Sequence, residues 1–272
     1  MKRLAKFLLI GTLSLVFLLA LAMWAIAKGV SPLVDGVTLE EGNVVVATDR
    51  STGPMRSAAY LFRMRDGSLG LIDSTMDPEA TAIRAAIARL GKTTDDIRAI
   101  LFTHSHEDHT AGARAFPNAE LFLLKPAGSD TTGSRAGISA LNQVERALPA
   151  SRSAKAPGRT ISRYLSDGEC LELHGTLVEV FAVPGHTYDS AAFLVNRVLF
   201  LGDSAAGQSN GKIGAAPPIV SVDRKLNRLS LLALADRLQG RRGDIDFLAF
   251  GHQGPLPGLD PLLAWAADHR QP

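Results

Sequence analysis

Short apolar runs broken by glycine and charged residues set the rhythm of this chain. Residues 44–46, 60–62 and 69–72 are rich in Val, Leu, Ile, Tyr and Phe and are separated by Gly, Asp and Arg, which predicts antiparallel strands. Pro78, followed by Ala, Ile and Leu at helical spacing as far as Leu90 and then by Gly91, predicts an amphipathic helix with a glycine stop. Residues 97–102 read as a buried strand that delivers the chain straight into His104. A helix over 110–115 and a strand over 121–124 follow. The second half repeats the rhythm more loosely. A strand over 177–183 ends at Gly185-His186, and a hairpin of 191–195 with 198–201 ends at Gly202-Asp203. A helix spans 226–238, and a strand over 245–250 ends at Gly251-His252. Strand–helix alternation in both halves predicts two similar layered units packed face to face.

One apolar run keeps neither period. Residues 7–27 form an uncharged stretch of 21 residues, preceded by Lys2, Arg3 and Lys6 and closed by Lys28. That length suits a membrane-spanning helix. Residues 1–28 therefore read as an anchor, in preference to a signal cleaved at Ala25-Ile26-Ala27. The charge bias keeps the N-terminus cytoplasmic and places the rest of the chain outside, periplasmic or extracellular, or secreted if the segment is cleaved. Residues 29–42, with Pro32 and Gly36, read as a linker into a globular part over 43–272.

Charge is unevenly distributed along the chain. The chain has 29 basic and 27 acidic residues, but residues 1–28 hold four basic and no acidic ones, leaving 25 against 27, a net of −2. No nucleic-acid partner is expected from bulk charge of that kind. Residues 125–163 form an insertion with seven basic side chains (Lys125, Arg135, Arg146, Arg152, Lys155, Arg159, Arg163) against Asp130 and Glu145. It reads as a solvated face, or as a helical flap beside the site. The single cysteine, Cys170, cannot form an internal disulfide and reads as a buried packing residue.

Candidate chemistry gathers at the strand ends. Five of the seven histidines lie in the clusters His104-Ser105-His106-Glu107-Asp108-His109, Gly185-His186 and Gly251-His252, with Asp203 beside them in kind. Imidazole is the commonest metal ligand and carboxylate its usual companion. His104 and His106, two apart in an extended loop, point to one side and can meet one cation. Asp108 and His109 follow where the chain turns helical and aim at a second. Glu107 faces solvent, and the spacing is not the His-Glu-x-x-His of zinc peptidases. Five imidazoles and two carboxylates suffice for two divalent ions that share a bridging ligand. Of the other histidines, His174 sits in a hairpin turn before Gly175 and His269 in the polar C-terminal tail.

Through His104-x-His106-x-Asp108-His109, with His186, Asp203 and His252 in order, residues 39–260 resemble the metallo-β-lactamase superfamily. The resemblance implies an α/β fold, a four-layered αβ/βα sandwich, here preceded by the N-terminal transmembrane helix. It implies that His104, His106 and His186 bind a first metal, that Asp108, His109 and His252 bind a second, and that Asp203 bridges them. Asp73 matches the family's outer aspartate that steadies the cluster, and its plainer reading is a turn or cap residue. The cofactors are then two divalent ions, zinc first, with iron or manganese also permitted. Two such ions facing two carboxylates leave a net positive charge that would deprotonate a bridging water near neutral pH, and the hydroxide would attack a carbonyl carbon. Asp108 is the candidate to orient that nucleophile and carry its proton. Tyr188 and Ser204 are weaker candidates to meet a substrate oxygen, with packing or turn roles as the alternative. The small-molecule substrate is an ester, lactone, thioester or β-lactam-like compound. A carboxylate at Asp203 is more like glyoxalase II-type thioesterases and lactonases than the β-lactamases proper, which usually carry Cys or Ser. The alternatives are a mononuclear iron enzyme of the sulfur dioxygenase kind and a metal-holding protein without turnover.

Overall fold

The computed structural model describes residues 38–39, 44–49, 56–126 and 159–270. The anchor expected over 1–28 and most of the insertion over 125–163 lie outside the described residues. Among the described residues no helix is long and apolar enough to cross a membrane.

A seven-stranded sheet runs in the order of the sequence: β1 (Thr38–Leu39), β2 (Val44–Thr48), β3 (Ala58–Arg63), β4 (Leu69–Ile72), β5 (Ile97–Phe102), β6 (Glu120–Leu124) and β7 (Arg163–Leu165). The first three pairings are antiparallel, as the sequence pattern predicts, and those from β4 onward are parallel. The second sheet is built from β8 (Cys170–Leu173), β9 (Thr176–Ala182), β10 (Ala191–Val195), β11 (Val198–Phe200), β14 (Phe247–Ala249) and β15 (Leu256–Pro257). A small hairpin, β12 (Ala205–Gly207) with β13 (Ile213–Ala215), stands apart. Helices α1 (Thr81–Arg89), α2 (Arg224–Leu238) and α3 (Asp260–His269) complete the described architecture.

Period-two alternation sorts the strand residues into layers. Val44 and Val46 of β2 pack between the sheets with Tyr60, Phe62, Val180, Phe193 and Phe200. Their neighbours Val45 and Ala47 face the other way, onto Ile83, Ala86 and Ile87 of α1. The far face of the second sheet likewise packs Leu194, Leu199 and Leu248 against Leu231, Leu234, Trp265 and Ala266 of α2 and α3. The order is helix, sheet, sheet, helix. Both faces of each sheet are covered, which is why so many strands read as unbroken apolar runs.

Several boundaries differ from the sequence pattern, each for a local reason. The expected linker over 29–42 contains β1, where Leu39 is buried and Thr38 and Leu39 pair with Val45 and Val44. The first helix begins at Thr81 rather than Pro78, because the Asp77 carboxylate accepts from the amides of Glu79 and Thr81. Helical structure starts at Glu107 rather than at residue 110, in a short turn over Glu107–Thr110 that tightens into a 3₁₀ segment over Ala111–Ala115. Arg163 belongs to β7 rather than to the insertion. Cys170 is exposed, not buried, because on β8 it alternates outward with Glu172 while Leu171 and Leu173 face the core. His269 ends α3 instead of lying in a tail, stacked on Trp265 with ring centroids 4.4 Å apart.

Strand direction is what positions the site. Strands β4 and β5 run parallel, so residues 73 and 103–104 emerge at one edge of the first sheet. In the second sheet β9 and β11 are each antiparallel to β10, and β14 is parallel to β11. Residues 183–186, 201–203 and 250–252 therefore also emerge at one edge. The two edges meet: the Ala191 amide donates to the Thr103 carbonyl at 2.8 Å, and the Ala58 amide to the Gly251 carbonyl at 2.8 Å.

Phe193 is fully buried between the two sheets. Replacing it with alanine should cost about 3–5 kcal/mol in urea unfolding. A loss below about 1 kcal/mol would show that the inter-sheet layer is not the principal core.

Candidate metal centre

All seven residues predicted as ligands come together where the two edges meet. His104 Nε2 lies 3.0 Å from His106 Nδ1, and His186 Nε2 lies 3.1 Å from the same atom. Asp108, His109 and His252 form a second group, and His104, His109 and Asp203 a third that overlaps both neighbourhoods. Asp203 stands between the first two. Its Oδ2 is 3.7 Å from His186 Nε2 and 3.1 Å from His252 Nε2, and its Oδ1 is 3.5 Å from His109 Nε2.

Proton bookkeeping shows what these contacts require. The Thr103 hydroxyl donates to Asp73 Oδ2 at 2.8 Å, so toward His104 Nδ1, 3.1 Å away, it accepts. His104 Nδ1 then carries the proton and Nε2 presents a lone pair. His109 Nδ1 donates to Asp73 Oδ2 at 2.8 Å, and His252 Nδ1 donates to the Arg56 carbonyl at 2.7 Å. Ser221 gives its hydroxyl proton to the Pro217 carbonyl and faces His186 Nδ1 at 3.4 Å as an acceptor. Four histidines thus have the far nitrogen engaged and Nε2 aimed at the centre, the arrangement that outer partners impose on metal-binding imidazoles. Two lone pairs face His106 Nδ1, and one N–H cannot serve both. Nitrogens about 3 Å apart instead suit an ion about 2 Å from each.

Two buried atoms make the same point. His109 Nε2 and Asp203 Oδ1 face one another without a hydrogen-bond partner. Buried polar groups are rarely left so. A divalent cation would supply the missing partner for both, and the donor set of imidazole and carboxylate suits zinc, iron or manganese.

Charge divides the histidines into two kinds. Burial holds His104 well below the usual imidazole range, pushes His186 down to about 4 and lowers His106. Burial would depress His109 and His252 as well. For these two the carboxylates win: Asp203 and Asp73 raise His109 to about 9, and Asp203 and Asp108 raise His252 to about 11. Against the same burial, His252 and His109 hold Asp108 at about 2, and Asp203 also lies well below the usual carboxylate range.

Backbone shape allows the crowding. A Cβ on Gly251 would lie 2.1 Å from Asp203 Oδ1 and 2.7 Å from His109 Cε1. Gly202 has φ +51°, and a Cβ there would lie 2.4 Å from Thr103 Oγ1. Asp73 itself adopts φ 57°, which turns its carboxylate under the cluster, where Oδ1 also accepts from the Thr103 amide at 2.7 Å. It sits beneath His109 rather than serving as a simple cap.

The remaining sequence candidates sit differently. Ser204 is buried, and its hydroxyl donates to the Val183 carbonyl at 3.3 Å, a packing role. Tyr188 is partly buried in the loop after His186. Glu107 is exposed, as expected, and His174 occupies the β8–β9 turn with φ 48°, paired with Asp66 at 2.8 Å. Thr103 stands in sequence at the head of the His104–His109 cluster, where no role could be read for it, although a polar residue ending an apolar strand beside His104 was a usable signal. Sequence reasoning missed Ser221 and the Arg56 carbonyl, for which no short-range signal exists.

Fold and site define a metal-binding centre on the seam of a layered α/β sandwich. The chain belongs to the metallo-β-lactamase superfamily, whose family model matches residues 52–252. It is similar to hydroxyacylglutathione hydrolases: that of Aeromonas hydrophila is 27% identical over 187 residues, covering 66% of this chain and 59% of the relative. That of Rhodopseudomonas palustris is 27% identical over 157 residues, covering 56% and 50%. The chain therefore spans only half to three-fifths of these relatives. Among solved structures, a metallo-beta-lactamase family protein from Thermus thermophilus superposes with a TM-score of 0.57 at 23% identity, covering 83% of this chain and 77% of that one. A metallo-beta-lactamase from Hirschia baltica superposes with a TM-score of 0.56 at 18% identity, covering 86% and 97%. These structural likenesses speak for the fold.

With His109 at about 9 and His252 at about 11, both are protonated at pH 7 in the metal-free protein, whereas His104 and His186 are neutral. A nitrogen must lose its proton to bind a metal, so loading should release about two protons at pH 7 and apparent affinity should rise with pH. Zinc calorimetry in buffers of different ionisation enthalpy measures this. Loading without proton release would contradict it.

Proposed function

We propose that this protein is a metal-dependent hydrolase that uses a dinuclear centre to cleave a carbonyl compound of the thioester, ester or lactone class, with thioesters first. The carrying observation is Asp203, whose two oxygens face ligand groups on either side of it, His186 in one direction and His109 with His252 in the other. The relatives named hydroxyacylglutathione hydrolase support a thioester, and a carboxylate at Asp203 agrees with that class.

In this reading His104, His106 and His186 would hold one ion, Asp108, His109 and His252 the other, and Asp203 would serve both. When bound, such ions supply Lewis acidity, polarising a carbonyl and bringing the pKa of water down to about 7. The protein's own contribution is orientation. Asp73 and Thr103 keep protons on the outer nitrogens of His109 and His104, so that Nε2 stays available. Asp108, whose side chain is 28% exposed against 8% for Asp203, is the carboxylate nearer solvent. It orients the attacking water, takes its proton and delivers it to the leaving sulfur or oxygen. The apolar run over 7–27 supports anchoring of this domain outside the cytoplasm.

Metal analysis of the purified protein should give about two zinc equivalents. On a panel of chromogenic thioester, lactone, ester, lactam and phosphodiester substrates, kcat/KM should be highest for thioesters. Asp108→Ala should lower kcat by about a hundredfold or more. Undiminished activity in that variant would overturn the proton-transfer role, and preferential phosphodiester cleavage the substrate class. Deleting residues 1–28 should move the protein from the membrane fraction to the soluble fraction. An unchanged distribution would remove the anchor.

A further inference from the structure

Helix α2 carries one residue that its packing does not explain. Asn227, Leu231, Leu234, Ala235 and Leu238 are its buried residues, and four of these five are apolar. The asparagine occupies a core position and is 1% exposed. Asparagine is a poor helix former, and burying an amide is unfavourable unless each of its polar atoms is bonded. A leucine in that stripe would be the ordinary choice.

Both ends of the amide are used, and each reaches a different segment of the site. Nδ2 donates to the Ser204 carbonyl at 3.0 Å, in the 3₁₀ turn Gly202–Ser204 that carries Asp203. Oδ1 accepts from the Ala216 amide at 3.1 Å, at the start of the stretch leading to Ser221, whose hydroxyl faces His186 Nδ1. A third segment presses on the residue's backbone: a Cβ on Gly185 would lie 2.1 Å from the Asn227 nitrogen. The same helix start secures the His186 loop elsewhere, since the Asp223 amide donates to the Gly185 carbonyl at 2.8 Å and the Ser230 hydroxyl to the Pro184 carbonyl at 2.9 Å. Asp203 Oδ2 meets His252 Nε2 at 3.1 Å while Oδ1 has no hydrogen-bond donor, so the placement of the carboxylate also depends on the backbone that Asn227 holds.

We infer that Asn227 is a positioning residue for the metal centre, locking the Asp203 turn, the His186 loop and the 216–221 stretch into one register so that the shared carboxylate meets both ligand groups. The inference rests on the dinuclear reading above. Its substance is that the amide acts on the ions through Asp203 and His186 while touching neither.

The test is zinc binding measured by competition with a chromophoric chelator, alongside the melting temperature of the metal-free protein, for wild type, Asn227→Ala and Leu238→Ala. Leu238 lies on the same buried stripe, 11 residues further along the helix. Both variants should melt lower than wild type. Only Asn227→Ala should lose zinc affinity, by about ten- to a hundredfold, the range found for outer partners of metal ligands. The cobalt-loaded form of that variant should show a shifted visible absorption band, and the Leu238→Ala form should not. Should Asn227→Ala fail to fold, Asn227→Asp keeps the size and the acceptor for Ala216 while turning a carboxylate toward the Ser204 carbonyl, and the same loss is expected of it. Unchanged affinity in the folded Asn227 variant, or an equal loss in Leu238→Ala, would overturn the positioning role. Wild-type protein that binds fewer than two zinc equivalents would instead overturn the dinuclear reading.

Discussion

Lone pairs and negative charge converge on the meeting edge of the two sheets with too few protons to satisfy them. Nε2 of His104 and of His186 both point at His106 Nδ1, and Asp203 Oδ1 faces His109 Nε2 at 3.5 Å. Inside a protein such a cluster is unfavourable unless a cation completes it. Much of the surrounding structure serves to hold that arrangement. The left-handed turn at Asp73, the close approach at Gly251 and the burial of Thr103 would have little purpose without it.

The cluster also explains why two sheets are needed. His104, His106, Asp108 and His109 follow β5, while His186, Asp203 and His252 follow β9, β11 and β14. Neither sheet alone completes either ligand group, because each group draws on both. The seam is therefore held by polar bonds that fix register, in addition to the apolar layer between the sheets. The Tyr60 hydroxyl donates to the Phe250 carbonyl at 2.6 Å, His252 donates to Arg56, and the Ala191 amide bonds Thr103. Burial pushes the Tyr60 phenol well above its usual range, so it remains a donor at all ordinary pH. Apolar packing tolerates small slips, whereas side chains that must converge on one point do not.

The layered fold and the set of candidate ligands that the fold gathers were both legible along the chain. Strands over 97–102 and 191–195 appear with the bounds the apolar pattern predicts, because residues 99–102 and 191–195, covered on both faces, leave a continuous hydrophobic signature. The candidate ligands were legible because histidine and aspartate just past such a strand have few other uses. Boundaries set by single polar side chains were harder to see, as with Asp77, which delays α1 to Thr81. The direction in which Cys170 faces was harder still, since a strand's inward face is chosen by its neighbours and not by any one residue.

By itself the sequence determined which chemical groups are present, how they are spaced and that each sits at the end of an apolar strand. Those properties are local, carried by period-two alternation and by the residue types at 104, 106, 108, 109, 186, 203 and 252. Tertiary structure alone decided that Asp203 lies between two groups, that Thr103, Ser221 and Arg56 assign the imidazole protons, and that Asn227 ties together three segments from distant parts of the chain. Apart from Thr103 and its neighbour His104, where the proton is set through Asp73 30 positions away, these contacts join residues 11 to 196 positions apart. They exist only once strand direction and sheet packing have brought the ends together, so no local pattern encodes them.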